Sequence, residues 1–402
     1  MSGIRFYLRL IVAGYLYVAF GWVMADQSVH NIEIPALAGS HQHRLSQTAD
    51  GRLILSWVDS GQGNNYFRFS ILNAGVWSQA STVATVSGKL GAAPWLIGLS
   101  DGAMAAVWMD YPEGKKKSYL GRLQLARTQD QGKTWSKAIQ PYDENARIYD
   151  AQMGAVALPE GKMALIWTDM RAQTTEARFQ LFSTLIDAEG HASKEQVLDA
   201  NVCSCCPTDT SADGHVLLTA YRDHLSGEVR DISVARWGTG EHPLTATSSR
   251  VNVDNWVLDG CPSNGPAIDF KQKQAVVAWF TGVDGEGKVR VAFSHDSGLS
   301  FKQVAELDTD AAGYVDTVLL SDGAALVSWR SRVGPEDELK LARVSTDGSI
   351  QGQWSIFRGS FPRWPSRDPV LTVVAKQAYL AWTDASENRV RLVSVDLPKA
   401  AN

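Results

Sequence analysis

Leu53-Ile-Leu-Ser-Trp57-Val-Asp59 decides the fold, because the chain repeats it six more times. The copies are Met104-Ala-Ala-Val-Trp108-Met-Asp110, Met163-Ala-Leu-Ile-Trp167-Thr-Asp169 and Val216-Leu-Leu-Thr-Ala-Tyr221-Arg-Asp223. Then come Ala275-Val-Val-Ala-Trp279, Ala325-Leu-Val-Ser-Trp329-Arg330 and Ala378-Tyr-Leu-Ala-Trp382-Thr-Asp384. The aromatic residues at 57, 108, 167, 221, 279, 329 and 382 recur at intervals of 50 to 59 residues. Each apolar run is too short for a core helix and suits a strand buried on both faces.

The neighbours of each copy repeat as well. A turn precedes it, as in Ser100-Asp-Gly102, Pro159-Glu-Gly161 and Ser321-Asp-Gly323. After a polar loop comes an alternating strand such as Leu120 to Arg127 or Lys288 to Phe293, then a weaker one such as Ser136 to Gln140. One unit is thus four short antiparallel strands with the aromatic run second, and such units in series predict an all-β propeller. Seven blades fit the count, with six plus an appended sheet as the alternative. The last blade has only Arg389 to Val395 after its aromatic strand, so Val29-His-Asn-Ile-Glu-Ile-Pro35 is expected to pair with it and close the ring.

Composition narrows the function. With 45% hydrophobic residues and a net charge of −5, the chain can build a core and lacks the basic excess of a nucleic-acid binder. Arg5 and Arg9 precede an apolar run from Leu10 to Met24, and Val23-Met-Ala25 ends it with small residues. Residues 1–25 therefore read as a signal peptide, with residues 26–402 a single propeller domain, exported to the periplasm or secreted. That apolar run is shorter than the roughly 20 residues of a spanning helix, and none later in the chain is long enough to span a bilayer.

Two loops between third and fourth strands carry a tighter motif: Thr128-Gln-Asp130-Gln-Gly132-Lys-Thr134-Trp135 and Ser294-His-Asp296-Ser-Gly298-Leu-Ser300-Phe301. They resemble the Asp-box of the sialidase (BNR-repeat) propeller superfamily. The resemblance implies a propeller whose boxes are structural and, for sialidases themselves, a six-bladed glycoside hydrolase. Such an enzyme uses an arginine triad, a tyrosine nucleophile assisted by glutamate, and an aspartic acid. Carried onto this chain, it points to Tyr314 and Asp316, with arginines from Arg44, Arg222, Arg330 and Arg367. Where sialidases open with Arg-Ile-Pro, this chain reads His41-Gln-His43-Arg44-Leu45-Ser46.

Strand direction puts first-strand starts and second-strand ends on one rim, the natural funnel. All four cysteines fall there, in Cys203-Ser-Cys205-Cys206-Pro207 and in Asp259-Gly-Cys261-Pro262-Ser-Asn264-Gly-Pro266. Two disulfides are the plain expectation for an exported chain, with one or two of Cys203, Cys205 and Cys206 bonded to Cys261. The functional expectation is a redox disulfide or a soft-metal site, with His41, His43 and His224 adding imidazoles to Cys203, Cys205, Cys206 and Cys261. Copper stands ahead of zinc because thiolates are soft and the spacing is not a zinc pattern. The expected partner is thus a small ligand, a metal ion or a glycan at the funnel. A hydrolase, or a binding scaffold with stapled loops, is the alternative. Arg222-Asp223 and Arg230-Asp231 are expected to neutralise each other within each pair, unless Arg222, Arg330 and Arg367 converge on an anion.

Overall fold

A computed structural model describes residues 29–111, 120–149, 152–172, 179–239, 245–362 and 369–397. The expected signal peptide and Arg367 lie outside the described residues. Among those described, no helix is long and apolar enough to cross a membrane.

Seven antiparallel sheets form the blades of a propeller. Their innermost strands are Ser40–Gln47, Trp95–Gly98, Met153–Ala157, Asp209–Asp213, Ala267–Lys271, Ala311–Leu319 and Val370–Val374, for blades 1 to 7. The aromatic runs are the second strands: Leu53–Gly61, Met104–Asp110, Met163–Asp169, Val216–Arg222, Gln274–Thr281, Ala325–Val333 and Gln377–Asp384. The ring closes as expected: Val29–Asn31 pairs antiparallel with Arg389–Asp396 of blade 7, and the Ile32 N–H extends the ladder to the Leu392 carbonyl at 2.9 Å. Only three residues of the expected seven form that strand.

Blade 2 departs from expectation. Ser136 to Gln140 makes only a single bridge, Ile139 with Leu125, and the outer strand there is Ile148–Tyr149, paired with Gly121 and Leu120. Trp135 turns its ring edge-on to Phe69 of blade 1, 6.1 Å between centroids.

The core is seven apolar clusters, and each draws on two successive blades, the last on blades 7 and 1. Trp57, Trp167, Trp279 and Trp329 are wholly buried, so their indole N–H groups need partners. Trp57 and Trp167 find the aspartate two residues on, Asp59 at 2.9 Å and Asp169 at 3.2 Å. Trp279, Trp329 and Tyr221 instead reach back to the preceding blade's end, to Asp254 at 2.8 Å, Asp308 at 2.7 Å and Asp199 at 2.6 Å. The same side chains therefore fill the inter-blade space and tie blades 3 to 6 in sequence.

Both Asp-boxes form alike. The Asp130 carboxylate accepts the Thr134 N–H and hydroxyl at 2.9 and 2.6 Å, and Asp296 takes Ser300 at the same distances. A shorter box at Ser345-Thr-Asp347-Gly-Ser349, not evident from the motif, also closes on its aspartate. Gly132 has φ +82°, and a Cβ there would lie 2.2 Å from Phe69, whereas Gly102 at φ +87° has open space around it. Gly102→Ala should thus cost about 1 kcal/mol of backbone strain, and Gly132→Ala about 1–3 kcal/mol more through overpacking. Urea midpoints of the two variants check this; equal losses would refute the packing role of the box.

Candidate functional site

The site is built by the approaches to blades 4 and 5. Cys203 is pinned first: Val202 bridges Asp223, and the Cys203 N–H donates to the Arg222 carbonyl at 3.0 Å. The chain then crosses to the axis, where Pro207 meets the loop before blade 5. A Cβ on Gly265 would lie 2.0 Å from the Pro207 carbonyl oxygen, so only glycine permits that approach. With the two loops in backbone contact, Cys205 and Cys261, 56 residues apart in sequence, are joined by a disulfide. Cys203 and Cys206 remain thiols, both buried.

The four sulfurs therefore gather as expected, but in two chemical states. The Cys203 and Cys206 sulfurs lie 3.3 Å apart, and the Cys203 sulfur is 3.7 Å from that of Cys205. Ligand atoms of Cys203, Cys205 and Cys206 all lie within 4.8 Å of one another. Cys261 is exposed, so the disulfide is the outer layer and the dithiol the inner one.

His224 belongs to the same place. With Cys203, Cys205, Cys261, Glu228, Arg230 and Asp259 it lines a rim pocket of about 260 Å³. Its Nε2 sits 3.0 Å from Glu228, which also takes the Arg230 guanidinium. His41 and His43 are not assembled with it. Gln42 has φ +49° and the pairing register slips there, so the two-residue alternation expected of a strand fails. His41 Nε2 meets Ser60 at 2.9 Å, and His43 Nδ1 meets Thr383 of blade 7 at 3.2 Å.

Arg222 is the electrostatic centre. Its guanidinium is buried and donates to three backbone carbonyls, of Asn264 at 2.9 Å, Arg230 at 2.5 Å and Phe280 at 2.7 Å. It also lies over Trp256, 4.9 Å from the ring centroid. Among the described residues no carboxylate pairs with it. The expected neutralisation by Asp223 fails because successive strand residues face opposite ways; Asp223 accepts from Ser233 at 2.7 Å. The second pair is likewise not formed, since Arg230 goes to Glu228 and Asp231 to Arg250. Both thiols lie within the field of the Arg222 charge. Hydrogen bonding with Cys206, helped by the Arg222 and Arg230 charges, holds the Cys203 thiol below its ordinary range, while burial pushes Cys206 up.

The hydrolase candidates fall in a second, axial pocket. Tyr314 and Asp316 line it with Arg44, Asp209 and Asn264. Gly313 and Tyr314 both take positive φ, +93° and +56°, and the Asn264 side chain holds this bend by accepting the Tyr314 N–H at 2.7 Å. Arg330 is close but engaged: it pairs with Asp337 and stacks between the Tyr314 and Phe361 rings, 4.2 and 4.4 Å from their centroids. Arg44 lies over Trp95 at 3.6 Å. The two oxygens of Asp316 accept the Thr317 and Leu371 N–H groups at 2.8 and 2.7 Å. The latter bond ties blade 6 to blade 7, as Asp209 ties blade 4 to 5 through Ile268 and Asp269 ties 5 to 6 through Leu319. Asp269 was not singled out from sequence, nor was Glu228; for Asp269 the recurrence of an aspartate in successive first strands was the available signal.

Burial, then the Asp209 charge, push the Asp316 carboxyl up to about 7. The folded chain thus keeps a proton there that the unfolded chain has released, and stability should fall as pH rises from the ordinary carboxylate range towards 7. Asp316→Asn should be less stable, since an amide accepts at one atom only, but with a flatter pH dependence. The slope that remains belongs to groups such as Asp223, which burial raises to about 6. Denaturant midpoints across pH test this; an unchanged slope in the variant would refute it.

No protein-family model matches the chain, and no curated protein matches it in sequence. Solved structures do. An oligogalacturonate lyase of Vibrio parahaemolyticus matches with TM-score 0.52 and 14% identity, over 94% of this chain and 93% of its own. An α-L-arabinofuranosidase of Fusarium graminearum matches with TM-score 0.50 and 13% identity, over 92% and 97%. A sialidase of Streptococcus pneumoniae follows with TM-score 0.45 and 10% identity, over 92% and 94%. At these identities the likeness is one of fold. The chain is a seven-bladed β-propeller.

Proposed function

We propose that the protein is an exported Cu(I)-binding propeller, with the Cys203 and Cys206 thiolates as ligands and His224 beside them. One observation carries the reading: a close pair of buried thiols stands next to a buried arginine that has no carboxylate partner. Two thiolates and Cu(I) sum to one negative charge, which the Arg222 guanidinium offsets in a site where an unpaired charge is costly. With Cys205 and Cys261 bonded to each other, the two thiol sulfurs remain as donors, and His224 lines the rim pocket with Cys203. That set suits a soft ion of low coordination number and falls short of the four ligands zinc takes. The leader-like residues 1–25 support export, and the coexistence of a disulfide with buried thiols fits an oxidising compartment.

Competition of the purified, disulfide-intact protein against a chromophoric Cu(I) chelator tests the proposal. Wild type should withhold one Cu(I); Cys203→Ser and Cys206→Ser should each lose about 3 kcal/mol, roughly a hundredfold. His224→Ala should lose about tenfold. A chelator that strips wild type and variants alike would overturn it.

A second reading is favoured by the axial pocket, which sets Tyr314, Asp316 and Arg44 on one wall. A carboxyl held near 7 is protonated often enough to act as the acid of a glycoside hydrolase. The expected outcome on this reading is turnover of a fluorogenic sialoside or related glycoside, abolished by Tyr314→Phe. No turnover by wild type across such a panel would remove it. Because Asp316 spends both oxygens on backbone amides, the copper reading stands first.

A further inference from the structure

We propose that the rim pocket undergoes internal thiol–disulfide exchange, in which Cys203 attacks the Cys205–Cys261 bond and so controls whether the metal-binding thiols exist. The inference rests on the copper reading for its consequence, not for its chemistry. Its basis is the stacking of the sulfurs: Cys206 lies 3.3 Å from Cys203, and Cys203 lies 3.7 Å from Cys205, whose partner Cys261 is exposed. The resolving sulfur, the attacker and the attacked sulfur thus stand in sequence from the interior outward.

The chemistry balances without an oxidant. The Cys203 thiolate forms a bond to the Cys205 sulfur, the Cys205–Cys261 bond breaks, and Cys261 leaves as a thiolate that takes up the proton Cys203 gave up. Cys206 then gives up its proton and attacks Cys203, forms the Cys203–Cys206 disulfide across two intervening residues, and releases Cys205 as a thiolate that takes up that proton. One disulfide and two thiols are present throughout. What changes is their place: the inner dithiol becomes a disulfide, and the free thiols move to the half-buried Cys205 and the exposed Cys261.

Exchange and Cu(I) binding exclude each other, because the sulfur lone pairs that hold the ion are those that would attack. Bound Cu(I) therefore holds the pocket in the form described here, and exchange removes both thiolates. Cys203 is the residue that decides between the two states. The Gly265–Pro207 contact keeps the two loops in reach during the exchange.

The test is disulfide mapping of the full chain. Metal-free protein is incubated at mildly alkaline pH, quenched in acid denaturant, labelled at free thiols and digested; the readout is label on the peptide carrying Cys261. Wild type should show Cys261 in part labelled, and saturating Cu(I) should abolish that label. Cys203→Ser should leave Cys261 wholly linked to Cys205. Cys206→Ser should still label Cys261, because the first step remains and only the second is blocked. This variant decides the matter if Cys203→Ser does not fold. Wild-type Cys261 that never takes label, or takes it equally in Cys203→Ser, would overturn the exchange. Label that appears but ignores Cu(I) would sustain the exchange and sink the copper reading alone.

Discussion

Every feature of this molecule depends on burying one aromatic strand per sheet between two neighbouring sheets. A blade alone has two apolar faces and no way to cover both. Placed in a ring, each face meets the next blade, and the seventh cluster joins blade 7 to Ile34, Leu53, Leu55 and Trp57 of blade 1. The indole N–H groups then require acceptors inside a dry wedge. Asp254 and Asp308 supply them from the preceding blade, so satisfying a hydrogen bond also fixes the angle between sheets.

Tightly set wedges leave the rim and the axis as the places where chemistry can be held. At the junction of blades 4 and 5 the hydrogen bonding is unusual. Beside the acid ties from Asp209 and Asp254, the wedge holds a buried cation, Arg222, spent on carbonyls from three segments: residue 230 in blade 4, residue 264 before blade 5, and residue 280 within it. Neutral carbonyl dipoles solvate a guanidinium but do not cancel its charge.

The repeat was legible because each strand's aromatic residue answers one constraint, and the constraint recurs at near-equal spacing. The closing strand followed from counting, since Arg389 to Val395 had no partner of its own. Blade 2's outer strand was not legible: Ile148–Tyr149, two residues long and beyond a loop, takes the edge beside Leu120 and Gly121, too short to leave a pattern in the sequence. At the site, the gathering of Cys203, Cys205, Cys206 and Cys261 followed from strand direction, but the pairing did not. It depends on a backbone contact between Pro207 and Gly265, which only the assembled ring creates. His41 and His43 went wrong for a local reason, the bulge at Gln42, and Arg222-Asp223 for an elementary one, the alternation of side chains along a strand.

Charge logic separates the two pockets. In the axial pocket, burial and then the Asp209 charge push the Asp316 carboxyl up, so a second negative charge there is disfavoured. At the rim, the buried cation raises the stability of any anion that can reach it without bringing its own water. A carboxylate ligand would have to displace three well-made carbonyl bonds to grip Arg222. Thiolates already within the wall need displace nothing, because they sit beside the guanidinium and leave its donors where they are. On the proposed copper reading, a soft cation held between them would bring the sum of the two thiolates, the ion and the guanidinium to zero. The arginine a sialidase-like reading would assign to substrate is already spent on backbone carbonyls beside the sulfurs.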